Sequence, residues 1–163
     1  MNMLLFTTAV GLGATLLTDA WGFARKPLLG VAPPDYALVG RWIAHMRFGR
    51  IRHASIARSS AMRGELLIGW SVHYATGVAF AALLMAIGGN AWMARPTLPL
   101  ALVVGIATVA APFLLMQPCM GAGFAAARTP NPGAARVQSL LMHCIFGLGL
   151  YVTARTVNLL NFP

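Results

Sequence analysis

Four apolar stretches constrain the fold of this chain more than any other feature. They cover residues 3–23, 66–88, 98–121 and 137–157, and each has about the 20 residues that a helix needs to cross a bilayer. The first could be a signal peptide, but no Lys or Arg precedes it and no small-residue cleavage pattern precedes Asp19, so we expect it to be retained. We therefore predict an all-α protein, a four-transmembrane-helix bundle that forms a single integral membrane domain over residues 1–163.

The charged residues are too few for a solvated globular surface. They make up 9% of the chain, against roughly 25% in soluble domains. The three acidic residues, Asp19, Asp35 and Glu65, cannot supply a carboxylate pair for catalysis or a calcium loop. No Ser/His/Asp set, phosphate-binding glycine loop or zinc-protease motif is present either. A non-enzymatic role therefore fits the sequence better than catalysis.

The basic residues are distributed asymmetrically around the apolar stretches. Of the 12 Lys and Arg residues, eight lie in the connection 24–65, and the third connection adds Arg128 and Arg136. The second connection carries only Arg95, and the C-terminal end carries Arg155. By the positive-inside rule, both termini face the periplasm of a bacterial inner membrane and residues 24–65 form a cytoplasmic loop. The net charge of +9 then reflects topology, and nucleic acid is not an expected partner.

The basic loop contains one segment with helical periodicity. A helix that starts at Asp35 would align Leu38, Trp42 and Met46 along one stripe. Such a basic amphipathic helix suits the headgroup layer, where anionic lipids attract each basic residue by about 1 kcal/mol. The alternative is a solvated loop that only sets the topology.

Two patterns recur in the same order along the chain. Residues 22–27 and 123–130 both read Gly-Phe-Ala, then Arg, any residue and Pro. His73 and His143 each lie four residues from small residues on both sides, which are Gly69, Gly77, Ser139 and Gly147. Two duplicated helix pairs would produce this order, although short matches also arise by chance in Ala- and Gly-rich membrane sequence. Duplication predicts that the second and fourth helices are adjacent through these small residues and that the two histidines face each other.

Several of these motifs together resemble a known family over nearly the whole chain. They are Gly40-Arg41-Trp42, the segment from Gly69 to Gly77 around His73, the segment 112–130 and the segment from His143 to Tyr151. The chain resembles a bacterial family of small integral membrane proteins known only as a domain of unknown function. The resemblance implies an inner-membrane protein and supplies no activity.

His73 and His143 are the strongest candidates for a cofactor site. Two neighbouring helices could each present one axial imidazole to haem b, and the small residues around them would let the macrocycle approach. The alternative is that the same small residues allow close helix packing, with each imidazole bonded to protein. A copper or zinc ion is a further possibility, with soft ligands at Met116, Cys119, Met120 and Cys144.

Three functions remain open at this point. The first is an accessory or assembly subunit that docks on a larger membrane complex or associates with itself. The second is a haem- or metal-binding protein for electron transfer or metal handling. The third is a transporter, for which four helices supply few polar groups. Asp19 could relay protons, but a local pair with Arg25 or Lys26 explains it more simply.

Overall fold

The computed structural model describes residues 2–161, and within this range the chain is helical and contains no strand. The helices are α1 (Met3–Leu29), α2 (Tyr36–Met46), α3 (Glu65–Ala94), α4 (Leu98–Ala107), α5 (Gln117–Met120) and α6 (Pro132–Asn161). Two 3₁₀ turns, Ile56–Arg58 and Phe124–Ala126, and a π-helical segment, Pro112–Met116, lie between them.

Four helical segments are long and apolar enough to cross a membrane. They are Met3–Leu29, Glu65–Ala94, Leu98–Met120 and Pro132–Leu160. Each contains most of one predicted stretch, so the predicted all-α class with four candidate spans is confirmed. These segments are compatible with a multi-pass membrane protein.

Local signals in the sequence set the ends of the first two helices. The Asn2 side chain accepts a hydrogen bond from the Leu5 backbone N–H at 2.9 Å, which caps α1. Gly30 ends the helix in the left-handed region, with a φ of 67°. The Asp35 carboxylate caps α2 by accepting from the Ala37 N–H at 3.0 Å. The predicted start of the loop helix is therefore confirmed.

The third apolar stretch is interrupted in its middle. Pro112 has no N–H for the helical ladder, and the segment that follows widens into a π-helix. The Gln117 N–H consequently reaches the carbonyl of Pro112, five residues back. The stretch ends at Gly121, whose φ of 96° favours glycine.

The chain forms two compact units. Among the described residues, the first comprises 2–33, 74–108 and 141–161, and the second comprises 34–73 and 109–140.

The first unit packs parts of α1, α3, α4 and α6 around a shared apolar core. Phe6, Leu84 and Leu150 are fully buried in this core. Leu16, Ile87 and Val103 are exposed on the outer faces of their helices, as expected for side chains that contact hydrocarbon. Glycines bring the backbones close: a Cβ on Gly105 of α4 would lie 2.5 Å from the Cα of Gly147 on α6.

The second and fourth apolar stretches are in contact in this unit, but the predicted glycine interface between them is wrong. The rings of Phe80 and Phe146 lie 6.1 Å apart, and the Asn158 side chain donates to the Met93 carbonyl at 2.8 Å. A Cβ on Gly77 would instead meet Thr15 of α1. A glycine allows any neighbouring helix to come close to its face of the helix. Which helix packs there depends on how the larger side chains around the glycine fit together.

The second unit has a separate small core. Trp42, Ile56 and Cys119 are buried there, and Leu38, Met46 and other partly buried apolar residues pack against them. The stripe Leu38, Trp42, Met46 packs on protein, because the 112–120 segment offers it an apolar surface. The location of α2 in the headgroup layer stays a prediction.

Candidate functional site

His73 lies on α3 in the second unit, next to the start of α2. Its Nε2 atom forms a 3.0 Å hydrogen bond with the Tyr36 hydroxyl, and the two rings stack with centroids 4.1 Å apart. Gly69, one turn earlier, permits this approach, because a Cβ there would overlap the Tyr36 carbonyl. The imidazole therefore helps to dock α2 on α3.

His143 lies on α6 in the first unit and bonds to the end of α4. Its Nδ1 atom lies 2.9 Å from the Thr108 hydroxyl and 3.2 Å from the Gly105 carbonyl. The Thr108 hydroxyl donates its own proton to Gly105, so both of these oxygens act as acceptors. We therefore assign the proton of the neutral ring to Nδ1, which leaves a lone pair on Nε2.

Each of the two predicted cofactor ligands thus has protein partners of its own within its unit. Hydrogen bonds of this kind satisfy an imidazole in a helical bundle without any cofactor. The shared haem site stays a prediction.

The four weaker metal candidates are divided between the two units. Met116, Cys119 and Met120 belong to the core of the second unit, and Cys144 is half-buried on α6 in the first. Both cysteines are free thiols. Between residues 2 and 161 no group of three or more His, Cys, Asp and Glu side chains is arranged to hold a metal ion. A copper or zinc site built with methionine stays a prediction.

Asp19 has a partner that the sequence analysis did not single out. The Tyr74 hydroxyl, on α3, donates to the Asp19 carboxylate at 3.0 Å within the first unit. A tyrosine 55 residues away carries no local signal of such a contact. The predicted pairing of Asp19 with Arg25 or Lys26 stays untested.

Arg41 organises the loop of the second unit. Its Nε and Nη2 atoms donate to the two oxygens of Glu65 at 2.9 and 2.7 Å. Its Nη1 atom faces the backbone carbonyls of the turn that follows, those of Ile56, Ala57 and Ser59, at 3.2 to 3.4 Å. The Glu65 carboxylate raises the pKa of Arg41 above its ordinary value. The guanidinium fork therefore fixes the loop against the start of α3.

Two histidines outside the predicted sites form a hydrogen-bonded pair in the second unit. His45 is buried on α2, and its Nε2 atom lies 3.0 Å from the Ser60 carbonyl, which can only accept. Its Nδ1 atom lies 3.0 Å from Nε2 of His53, so in the neutral pair His53 donates to His45. The His53 Nδ1 atom is then an acceptor. It is buried, and the part of the chain that the structure describes offers it no hydrogen-bond partner. Burial, followed by the neighbouring His45, lowers the pKa of His53 below its ordinary value of 6.5.

An open cleft of about 520 Å³ lies beside this pair. Its walls include Arg52, His53, Pro118, Phe124 and Arg128, all in the second unit. The sequence analysis placed Phe124 and Arg128 in a repeated motif and Arg52 in the basic loop, but it did not bring them together. Only the folding of the loop onto the 117–128 segment forms the cleft.

The backbone that forms one wall of the cleft is strained. Ala125 and Ala126 have φ values of 44° and 60°, in the left-handed region that residues with a Cβ rarely adopt. The Arg136 side chain bonds to the Ala125 carbonyl at 2.8 Å, and the Thr129 hydroxyl bonds to the Ala126 carbonyl at 2.8 Å. Strain of this kind persists where the surrounding structure holds it, and it concentrates at functional sites.

No curated protein and no solved structure matches this chain. One family does: the sequence model of DUF2938, described as a protein of unknown function, matches residues 8–157. This range includes most of the first apolar stretch, all of the other three, the four histidines and the cleft. The chain therefore belongs to the DUF2938 family.

Proposed function

We propose that the protein is a non-enzymatic accessory or assembly subunit of the bacterial inner membrane, which docks on a larger integral membrane complex. The observation that carries this proposal is a rigidly held turn in the basic loop that exposes two large apolar side chains. Phe48 is 61% exposed and Ile51 is 53% exposed, and both lie outside the four candidate spans. Exposed apolar side chains in a fixed arrangement are typical of binding surfaces.

Several hydrogen bonds hold this turn in place. The Trp42 indole donates to the Ile51 carbonyl at 2.8 Å, and the Phe48 and Arg50 backbone N–H groups donate to the His45 carbonyl. The Arg47 guanidinium lies 4.5 Å from the centre of the Phe48 ring. A loop that only sets the topology needs no such arrangement. A preorganised turn, in contrast, loses little conformational entropy when a partner binds.

The orientation is part of the proposal. The excess of basic residues in the loop favours a cytoplasmic location for the turn and periplasmic termini. Anionic lipids would surround the remaining arginines of the loop and hold it near the headgroups.

Purification of the tagged full chain from native membranes tests this proposal. In mild detergent we expect the protein to co-migrate with a larger membrane protein, far above its own mass of 17.3 kDa, and to carry no coloured cofactor. Phe48→Ser/Ile51→Ser should abolish the co-migration. The control Leu66→Ser/Leu67→Ser changes two side chains of similar exposure at the start of α3 and should retain it. Migration only as multiples of 17.3 kDa would indicate self-association and contradict the proposal, as would equal losses in both variants.

One observation supports the alternative, a haem- or metal-binding protein. The Nδ1–H of His143 is directed at the Gly105 carbonyl and Thr108, as in many ligating imidazoles, and its Nε2 would then face the ion. This alternative predicts a Soret band or a bound transition metal after mild extraction, and its loss in His143→Ala. An absorbance spectrum and a metal analysis of the same preparation together separate the two functions.

A further inference from the structure

The cleft of the second unit concentrates positive charge without a matching carboxylate. Arg52 and Arg128 line it, and none of its lining residues is acidic. The three acidic side chains have other roles: Glu65 binds Arg41, Asp35 caps α2, and Asp19 accepts from Tyr74 in the first unit. Among residues 2–161, neither cleft arginine forms an ion pair. The site therefore offers two guanidinium groups to an external anion.

The cleft is held by backbone contacts rather than by flexible side chains. The His53 N–H donates to the Cys119 carbonyl at 2.8 Å, and Gly121 lies so close to Ala54 that a Cβ there would overlap the Ala54 carbonyl. The Arg128 N–H donates to the Ala122 carbonyl at 2.8 Å, which fixes the backbone at the base of this side chain. The backbone at Arg128 and directly after Arg52 is thus fixed by hydrogen bonds.

The two guanidinium groups determine the kind of ligand that fits the cleft. A ligand for Arg52 and Arg128 carries negatively charged oxygens. Guanidinium forks match phosphate oxygens in this way, with two parallel hydrogen bonds each.

We propose that this cleft binds a phosphate group through Arg52 and Arg128. The group has two sources with the same chemistry, an anionic phospholipid headgroup and a soluble phosphate compound. The lipid source is accessible because Pro118, in the cleft wall, lies two residues before the end of the candidate span Leu98–Met120. The residues that line the cleft differ from the two exposed side chains of the proposed docking turn, Phe48 and Ile51.

Binding measurements on the full chain distinguish the two sources. In one arm the protein is held in nanodiscs of phosphatidylcholine, and inorganic phosphate or glycerol phosphate is titrated by calorimetry. In the other arm phosphatidylglycerol is added to the nanodiscs, and retained lipid is counted by native mass spectrometry. Binding in the lipid arm alone assigns the site to a headgroup, and binding of the soluble probes alone assigns it to free phosphate. Absence of binding in both arms overturns the proposal.

Paired charge variants separate a specific site from general attraction. Arg52→Gln/Arg128→Gln should weaken binding about tenfold or more, because charge-assisted hydrogen bonds are lost. Arg58→Gln/Arg63→Gln removes the same charge from two equally exposed arginines that do not line the cleft, and it should change binding by less than about twofold. Equal weakening by the two pairs would show non-specific electrostatics and refute the site. If the cleft variant fails to fold, Arg52→Lys/Arg128→Lys retains the charge and should still weaken binding severalfold, since lysine lacks the fork. Unchanged affinity in that variant would contradict the proposal.

Discussion

Replacement of Gly40 by Ala tests how the second unit is assembled. Gly40 lies in α2 where that helix crosses the start of α3. A Cβ at this position would overlap the Glu65 carbonyl oxygen and lie 2.6 Å from the Gly69 backbone nitrogen, whereas ordinary contact needs 3.4–4 Å. Both obstacles are backbone atoms, so no side chain can rotate away. We expect α2 to move off α3.

The size of the effect follows from three contributions to the free energy of unfolding. Overpacking of a tight contact costs about 1–3 kcal/mol. The displacement also weakens the Arg41 hydrogen bonds to Glu65, and bonds to charged groups contribute about 1.5–3 kcal/mol. The higher helix propensity of Ala stabilises α2 by about 1 kcal/mol and offsets part of this loss. We therefore expect Gly40→Ala to lower the free energy of unfolding by about 1.5–5 kcal/mol.

Unfolding in detergent, followed by tryptophan fluorescence, measures this loss, because Trp42 and Trp70 both lie in the second unit. Trypsin digestion should also cleave the loop faster once Arg41 releases it. The control is Gly133→Ala near the start of α6, where a Cβ would lie 3.7 Å from the Asn131 side chain and clash with nothing. We expect its stability to change by less than about 1 kcal/mol. Equal stabilities for the two variants would refute the backbone contact between α2 and α3.

Three further predictions concern other contacts. Arg41→Lys keeps the charge, but lysine cannot bond to both Glu65 oxygens and the three loop carbonyls. Thermal unfolding should therefore show that the free energy of unfolding falls by about 1.5–3 kcal/mol. Unchanged stability would exclude the organising role of the guanidinium fork. Gly77→Leu should destabilise the first unit by about 2–4 kcal/mol, because the leucine side chain enters the space of Thr15. Adding Thr15→Ala should restore part of the lost stability. If the double variant is no more stable than Gly77→Leu, Gly77 faces another helix. The pKa of His53 in the folded state lies below its ordinary value of 6.5. As the pH falls, the unfolded state therefore becomes protonated at His53 before the folded state does. The free energy of unfolding should be highest above pH 6.5 and should decline as the pH falls through the folded-state pKa. Denaturant unfolding of the wild type and of His53→Gln at pH 7.5 and 5.5 checks this, and an identical pH dependence in both would exclude His53 as its source.

The sequence by itself determined the helical class, the four candidate spans and the starts of the first three spans, because these depend on local properties. Both α1 and α3 continue beyond the end of the predicted stretch, and α6 extends beyond it in both directions. An uninterrupted apolar stretch of about 20 residues has few folded alternatives to a spanning helix. Asp35 caps α2 through its own neighbour Ala37, and Pro112 disturbs the helix that contains it. Each signal acts within a few residues and can be interpreted without knowledge of the rest of the chain.

Only the tertiary structure decided which partner each of these elements has. The small residues around His73 and His143 indicated close helix contacts, but not that Gly77 meets Thr15 or that His143 bonds to Thr108. The stripe of α2 similarly predicted an apolar surface and not its burial in a protein core.

The cleft is the clearest case of a feature that tertiary structure alone creates. Arg52 and Arg128 are 76 positions apart in the sequence, and no local signal around either residue indicates that they line one site. They line the same cleft for two reasons. Arg41 holds the loop that carries Arg52 against Glu65. The α-helix of the third apolar stretch is interrupted at Pro112 and ends at Gly121, before the segment that carries Arg128. Periodicity determines which side of a helix is apolar, whereas long-range packing determines what that side contacts.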